Sequence, residues 1–331
     1  MAHSNIAIFV PHKGCPHRCS FCNQHIISGS TTPTTPEDVT RICSEARCTV
    51  SDKANTEIAF FGGSFTAIPR DEMTALLKAA QPFLGGDGFC GIRISTRPDC
   101  IDESVLSVLK TYGVTSIELG AQSMSDRVLA MNERGHTAED VARASVLIRS
   151  YGFSLGLQMM VGLYGASSQD DSDTADALIR LHPDTVRIYP TVILRQTRLE
   201  RLYADGTYQP ISIEEAAQIC ADLLDRFESN GISVIRCGLH ASDGVEEEMV
   251  GGLYHPAFRE LCDTLRYRQL IDQKLAAQRH PGSATVLVHP SCVGKAAGHK
   301  KSNLHYFAQR GITLRIRPQE GIPRFVCKLT F

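Results

Sequence analysis

Cys15, Cys19 and Cys22 stand in Gly14-Cys-Pro-His-Arg-Cys-Ser-Phe-Cys22, a C-x3-C-x2-C run directly behind the apolar stretch Ile6-Ala-Ile-Phe-Val10. Three thiolates on one tight loop can ligate three irons of a 4Fe-4S cluster, and with no fourth cysteine in the run the last iron is open to an outside ligand. An open iron is a place for chemistry. The competing readings of C-x2-C are a zinc knuckle and a redox pair. Zinc normally takes a second ligand pair at a definite distance, and the next cysteines, Cys43 and Cys48, fall in a helical stretch. The spacing therefore favours a cluster.

Other candidates sit just behind apolar runs. The second run ends in Phe61-Gly62-Gly63-Ser64-Phe65-Thr66, where glycines let a ligand approach bare backbone. Arg97, fixed by Pro98, offers a planar fork to a carboxylate or phosphate; its alternative is to pair Asp99 or Glu118. Glu118 and Gln122 close a fourth run, where a carboxylate can accept both hydroxyls of a ribose or serve an internal salt bridge. Arg134 and His136 lie in a loop within reach of a substrate; Met159, Met160 and Gly162 end a fifth run, and Arg187 and Tyr189 a sixth. Of these Gly162 is the better candidate for close approach of a ligand, since methionines more often fill cores.

Placing these side chains together needs a parallel sheet. Short apolar runs (6–10, 58–61, 92–95, 116–119, 155–160, 186–189) alternate with amphipathic stretches near 37–47, 70–80, 102–112, 138–151 and 168–181. Strand and helix alternating in this way indicate βα units. Runs so apolar predict strands buried on both faces, curled by right-handed crossovers into a partial or near-complete (β/α) TIM-like barrel. Chemistry in such folds gathers at the C-terminal strand ends, where the candidates lie. A strong helix follows at 213–229, a strand at 233–237 and a further helix near 256–278.

The cysteine triplet resembles the signature of radical S-adenosylmethionine (SAM) enzymes. In order along the chain, Gly62-Gly63-Ser64-Phe65, Ser95-Thr-Arg-Pro-Asp99, Glu118-Leu-Gly-Ala-Gln-Ser123, Arg134-Gly-His-Thr137 and Ile188-Tyr-Pro-Thr191 resemble the radical core of the elongator catalytic subunit. The resemblance implies a 4Fe-4S cluster on Cys15, Cys19 and Cys22, with SAM on the open iron. It implies reductive cleavage to a 5'-deoxyadenosyl radical, with Gly62, Gly63 and Ser64 holding the methionyl amino group and Phe21 packing on the adenine. Arg97, Glu118, Gln122 and Gly162 complete the expected cofactor-binding set. Ser95, Gln158 and Arg187 depart from that family's acid, histidine and lysine. The match spans about residues 6–200 and stops short of the family's acetyltransferase domain, so acetyl-CoA chemistry is not expected. An oxygen-independent coproporphyrinogen oxidase is the alternative enzyme, though it usually shows Gly-Gly-Gly-Thr-Pro at the glycine motif. A cluster protein that only binds RNA is the alternative outside catalysis.

At 331 residues the chain is predicted to hold a barrel core, 1–240, and a small basic α/β domain, 241–331. Residues 279–331 hold nine Lys/Arg against one Asp/Glu, a net +8, while the remainder holds 25 against 35, a net −10. A basic appendage on an acidic body points to an anionic partner, RNA and tRNA first. Gly298-His299-Lys300-Lys301 resembles the GXXG loop of the KH module with lysine in place of the second glycine, making Lys295, His299, Lys300 and Lys301 the candidate RNA contacts. An electron donor such as flavodoxin or ferredoxin is the other expected partner. No membrane-length apolar window and no signal-like start predict a cytoplasmic protein. The scattered cysteines read as core thiols, with an auxiliary cluster from Cys237, Cys262, Cys292 and Cys327 as the alternative.

Overall fold

The computed structural model describes residues 4–10, 15, 19–23, 26, 33–239, 243–276 and 282–331. Its first strands are β1 (Ser4–Val10), β2 (Thr56–Gly62), β3 (Gly91–Thr96), β4 (Val114–Gln122), β5 (Ser154–Val161) and β6 (Thr185–Pro190); then come a short β7 (Val192–Leu194) and β8 (Ser233–Cys237). Seven of them form one parallel sheet in the order β1-β2-β3-β4-β5-β6-β8. The intervening helices include Pro36–Thr49, Arg70–Ala80, Glu103–Thr111, Ala138–Ser150, Ser168–Arg180 and Ile213–Ser229. Among the described residues β1 and β8 are left as edges, so the curled sheet is a half-barrel rather than a closed one.

Local sequence sets the helix starts. Thr35, Thr137 and Ser167 each accept from the backbone N–H three residues on, and Asp38, Asp140 and Asp170 return the bond to the cap N–H. A reciprocal cap of this kind satisfies two of the four orphan donors at a helix start and is worth about 1 kcal/mol.

The sheet departs from the sequence expectation in one respect. One face is apolar throughout, with Ile58, Phe60, Ile92, Ile94, Ile117, Leu119, Leu155, Leu157 and Ile188 packed beneath the helices. The opposite, inner face is polar. Glu57, Arg93, Glu118, Gln158, Arg187 and Arg236 run across successive strands along it, Gln158 registering with Arg187 and Arg187 with Arg236. Strict alternation, not two apolar faces, therefore describes these strands. The short apolar runs masked it because buried charges here pair with one another.

The remaining residues contribute first to the barrel and then to a second core. β9 (Met249–Gly252) pairs antiparallel with β7. The helix Phe258–Ala276 then places Phe258 and Cys262 in the barrel core and Tyr267, Ile271 and Leu275 in a separate one. β10 (Ser283–Val288), the short helices Val293–Ala297 and Ser302–Gln309, β11 (Thr313–Pro318) and β12 (Cys327–Thr330) complete it, with sheet order β11-β10-β12. The expected boundary at 240/241 falls outside the described residues. Cys237 and Cys262 lie in the first core with Cys220, whereas Cys292 and Cys327 lie in the second, so these four do not form one group.

Candidate active site

The triplet loop is fastened by residues well beyond it. Ser20, fully buried, donates its hydroxyl to Asn132 Oδ1 at 2.7 Å and its N–H to Asn132 O at 3.1 Å, while its carbonyl accepts from the Leu199 N–H at 2.8 Å. Asn132 donates in turn to the carbonyls of Val128 and Tyr164, both at 2.9 Å. The Cys22 N–H closes a turn onto Cys19 O at 3.1 Å. Phe21 packs among Val128, Met160, Leu163 and Tyr189, so its ring anchors the loop to the barrel.

The glycine motif meets the triplet. Gly62 has φ of +112°, and a Cβ there would stand 3.1 Å from Val10 O, which restricts the position to glycine. The Gly63 N–H donates to that same carbonyl at 3.1 Å, tying the end of β2 to the end of β1 just before the cysteines. Ser64 turns its hydroxyl inward, 2.8 Å from Thr96 Oγ1 and accepting from the Arg97 N–H at 3.1 Å. Desolvation by nearby atoms, then the neighbouring Cys19, push the thiol of the surface-exposed Cys15 above its usual range; Arg97, the Ser64 backbone and Arg134 oppose them.

Two arginines serve this corner. Arg134 donates from Nη1 to Cys19 Sγ at 3.0 Å and from Nη2 to Gly120 O at 2.6 Å. Arg97 grips Asp99 with Nε and Nη2 at 2.9 and 3.0 Å and donates to Arg134 O at 2.6 Å. This is the internal network that was the alternative for Arg97, although its charge still reaches Cys15.

Glu118 lies at the centre of the inner polar row and is 1% exposed. Its Oε1 accepts from Arg93 Nη1 at 3.0 Å and Arg187 Nη2 at 2.9 Å, and its Oε2 from Arg187 Nε at 2.8 Å and Gln158 Nε2 at 3.0 Å. A carboxylate offers about four acceptor positions, and all four are taken. The ribose role expected for Glu118 thus has no free acceptor, and the salt-bridge alternative describes the geometry. Gly162 is likewise held from both sides, its N–H donating to Asp171 Oδ2 at 3.2 Å and its carbonyl accepting from the Tyr208 hydroxyl at 2.7 Å.

Gln122 behaves differently. It has φ of +65°, and its Oε1 is buried with no partner among the described residues. Arg134 Nε and His136 Nδ1 share that state. Burial, then Arg134, push the His136 imidazole down to about 4, so the ring is neutral near pH 7. Its Nε2 lies 3.2 Å from Ala121 O. Unpartnered polar atoms cost about 1–3 kcal/mol each unless a ligand or water completes them. Three of them gather beside the end of β4, where Arg134 and His136 also reach the carbonyls of Gly120 and Ala121, and leave room for a polar ligand.

A cavity of about 520 Å3 opens beyond β8, with Arg236, Leu239, Phe258, Arg259, Asp263 and Lys295 in its wall. It was not legible in sequence, because its walls come from three separate segments, 236–239, 256–263 and Lys295. In the second unit, Gly298–Lys301 does join two helices, with Gly298, Lys300 and Lys301 all at positive φ. Of the expected RNA contacts, Lys295 pairs with Asp263 at 2.7 Å and His299 with Glu260 at 3.2 Å, while Lys300 and Lys301 are exposed.

With this geometry in hand, the chain matches the model of the radical SAM superfamily over residues 9–178 and that of the Radical_SAM C-terminal domain over residues 183–267. The chain belongs to the radical SAM superfamily. It is 33% identical over 136 residues to a tRNA uridine(34) acetyltransferase of Dehalococcoides mccartyi, covering 40% of this chain and 30% of that protein. It is 28% identical over 188 residues to human Elongator complex protein 3, covering 51% of this chain and 34% of that protein. The matched part thus spans about a third of these relatives' own length. Among solved structures, the archaeal Elp3 of Methanocaldococcus infernus aligns with a TM-score of 0.63 at 19% identity over 83% of this chain and 64% of that one. Coproporphyrinogen III oxidase of Escherichia coli aligns at 0.51 and 17% identity, over 69% of this chain and 52% of that one, which shows a shared fold.

Radical SAM enzymes use a 4Fe-4S cluster and SAM, and the residues present fit both. The donor set is three thiols at one barrel end, with a guanidinium donating to one of the sulfurs. Among the described residues no three His, Cys, Asp or Glu side chains converge as ligands of one metal ion. A cluster spreads its thiolates over three separate irons and does not require that convergence. The buried atoms Gln122 Oε1, Arg134 Nε and His136 Nδ1, which have no partner among the described residues, leave room for hydrogen bonds to a polar ligand.

Proposed function

We propose that this radical SAM enzyme cleaves SAM reductively and acts on RNA, with tRNA as the substrate class. The cluster and SAM, when bound, supply one-electron chemistry that generates a 5'-deoxyadenosyl radical and removes a hydrogen atom from the substrate. The chain's own residues do the positioning. Cys15, Cys19 and Cys22 hold the cluster, Arg134 balances charge at Cys19, and Gly62–Ser64 form the backbone cradle for the methionyl end. Gln122 and His136 offer the buried acceptors.

The observations that support the catalytic part are the Gly63 N–H bound to Val10 O and Arg134 bound to both Cys19 Sγ and Gly120 O, which bring the ends of β1, β2 and β4 together beside the triplet. The RNA part rests on the relatives named for tRNA uridine(34) and elongator activity, and on the +8 segment. An elongator-like chain of this kind works in the cytoplasm with a low-potential donor such as flavodoxin or ferredoxin. Among the described residues no helix is long and apolar enough to cross a membrane. The test compares modified nucleosides in tRNA from cells with and without the gene. A nucleoside missing without it supports the proposal, and an unchanged profile refutes the tRNA assignment.

A further inference from the structure

The basic charge of the C-terminal unit is not spread evenly once the chain is folded. β10 pairs in parallel with β11 and antiparallel with β12, so the register assigns every residue to one of two sheet faces. Ala284, Val286, Val288, Leu314 and Cys327 point into the second core beneath the helices. The other face carries Arg315 beside Thr285 and Thr330, and one row on, Arg317 beside Leu287 and Lys328. Arg315, Arg317 and Lys328 are exposed. Among the described residues none of the three makes an ion pair or side-chain hydrogen bond, whereas Lys295 and Arg310 of the same unit are paired with Asp263 and Asp272.

We propose that this outer face of the β11-β10-β12 sheet is a docking surface for an RNA backbone, which rests on the RNA-directed reading above and moves the contact from Lys295 and His299 to the sheet. The spacing suits phosphates. Arg315 and Arg317 lie two residues apart along a strand, about 6.6 Å, and Lys328 lies two strands over, about 9.5 Å. No residue in these rows is acidic, so each phosphate meets an uncompensated cation. None is aromatic, so bases have no stacking platform, and recognition is through charge without sequence preference. Such a surface holds a large RNA while the barrel end selects the reacting nucleotide.

The experiment measures binding of the full chain to an unmodified tRNA transcript and to an unrelated duplex RNA at 50 to 200 mM salt. The variants are Arg315→Ala/Arg317→Ala/Lys328→Ala and, separately, Lys300→Ala/Lys301→Ala, each checked for an unchanged melting temperature. Losing three phosphate contacts lowers the slope of log K against log salt by about 2.1 to 2.7. Over that fourfold salt range, the sheet variant's loss of affinity is then roughly 20- to 40-fold smaller than the wild type's. Both RNAs should be affected alike. An unchanged slope in the sheet variant, or a loss confined to the Lys300/Lys301 variant, overturns the inference and leaves the proposed function standing. Absence of RNA binding by the wild type refutes both. Wild-type RNA binding by the sheet variant with slower reduction of the cluster by flavodoxin makes the face a protein contact and likewise overturns it.

Discussion

Replacing Glu118 by glutamine separates a structural carboxylate from a cofactor ligand. The side chain keeps its shape, but one of its oxygens becomes an NH2 group that faces Arg187 or Arg93 donor to donor. Arg93 retains Glu57 at 2.7 Å, whereas Arg187, 12% exposed at its side chain, loses its only anionic partner among the described residues. Breaking one side of a buried ion pair costs about 3–5 kcal/mol, chiefly because a buried charge is left uncompensated. Unfolding entropy of about 2.1 cal/mol/K per residue gives roughly 0.7 kcal/mol/K for a chain of this size if it melts as one unit. The expected fall in melting temperature is then about 4–7 °C, read by calorimetry on the cluster-free chain. Adding Arg187→Met should restore much of it, since removing the orphaned charge removes the penalty. SAM affinity of the reconstituted Glu118→Gln enzyme should change less than threefold. A melting temperature within about 1 °C of wild type together with tenfold weaker SAM binding would refute the reasoning and return Glu118 to the ribose.

Further outcomes follow from the same geometry. Burial raises the Asp171 carboxyl to about 7, well above its unfolded value, so the stability it contributes is present below about pH 4 and is lost as pH rises through 7. Asp171→Asn should therefore gain stability over wild type as pH climbs from 4 to 7, measured by urea unfolding; a constant difference would show that the carboxyl does not titrate there. Asn132→Ala strips the buried Ser20 hydroxyl and two carbonyls of their donor or acceptor, costs about 2–4 kcal/mol, and should lower the iron retained per chain after reconstitution. A Cβ on Gly156 would stand 2.7 Å from Glu118 Cγ, so Gly156→Ala should lower the melting temperature in the wild type and much less in Glu118→Ala, where the obstructing atom is gone.

Much of the fold was legible because each βα unit announces itself locally. The runs behind β1 to β6 needed no tertiary knowledge. The inner polar row was not legible in the same way. Glu57 and Arg93 are unremarkable in sequence, Arg187 stood out only by its place at a strand end, and the burial of all three depends on partners 25 to 69 residues away. The nearness of the triplet and the glycine motif was legible, since each stands directly behind one of two neighbouring apolar runs whose strands pair. Asn132, which fixes the triplet from 112 residues away, carried no signal beyond its place just before Arg134. The sheet face of Arg315, Arg317 and Lys328 was hidden for a related reason. The net charge of the segment was visible, but only pairing register shows which cations share a side.

The most direct test of the central claim is formation of 5'-deoxyadenosine. Anaerobically reconstituted protein, given dithionite and SAM, should release it, and the Cys15→Ala, Cys19→Ala and Cys22→Ala variants should not. No product from wild-type protein with an intact cluster, or undiminished product from the triplet variants, would contradict the account.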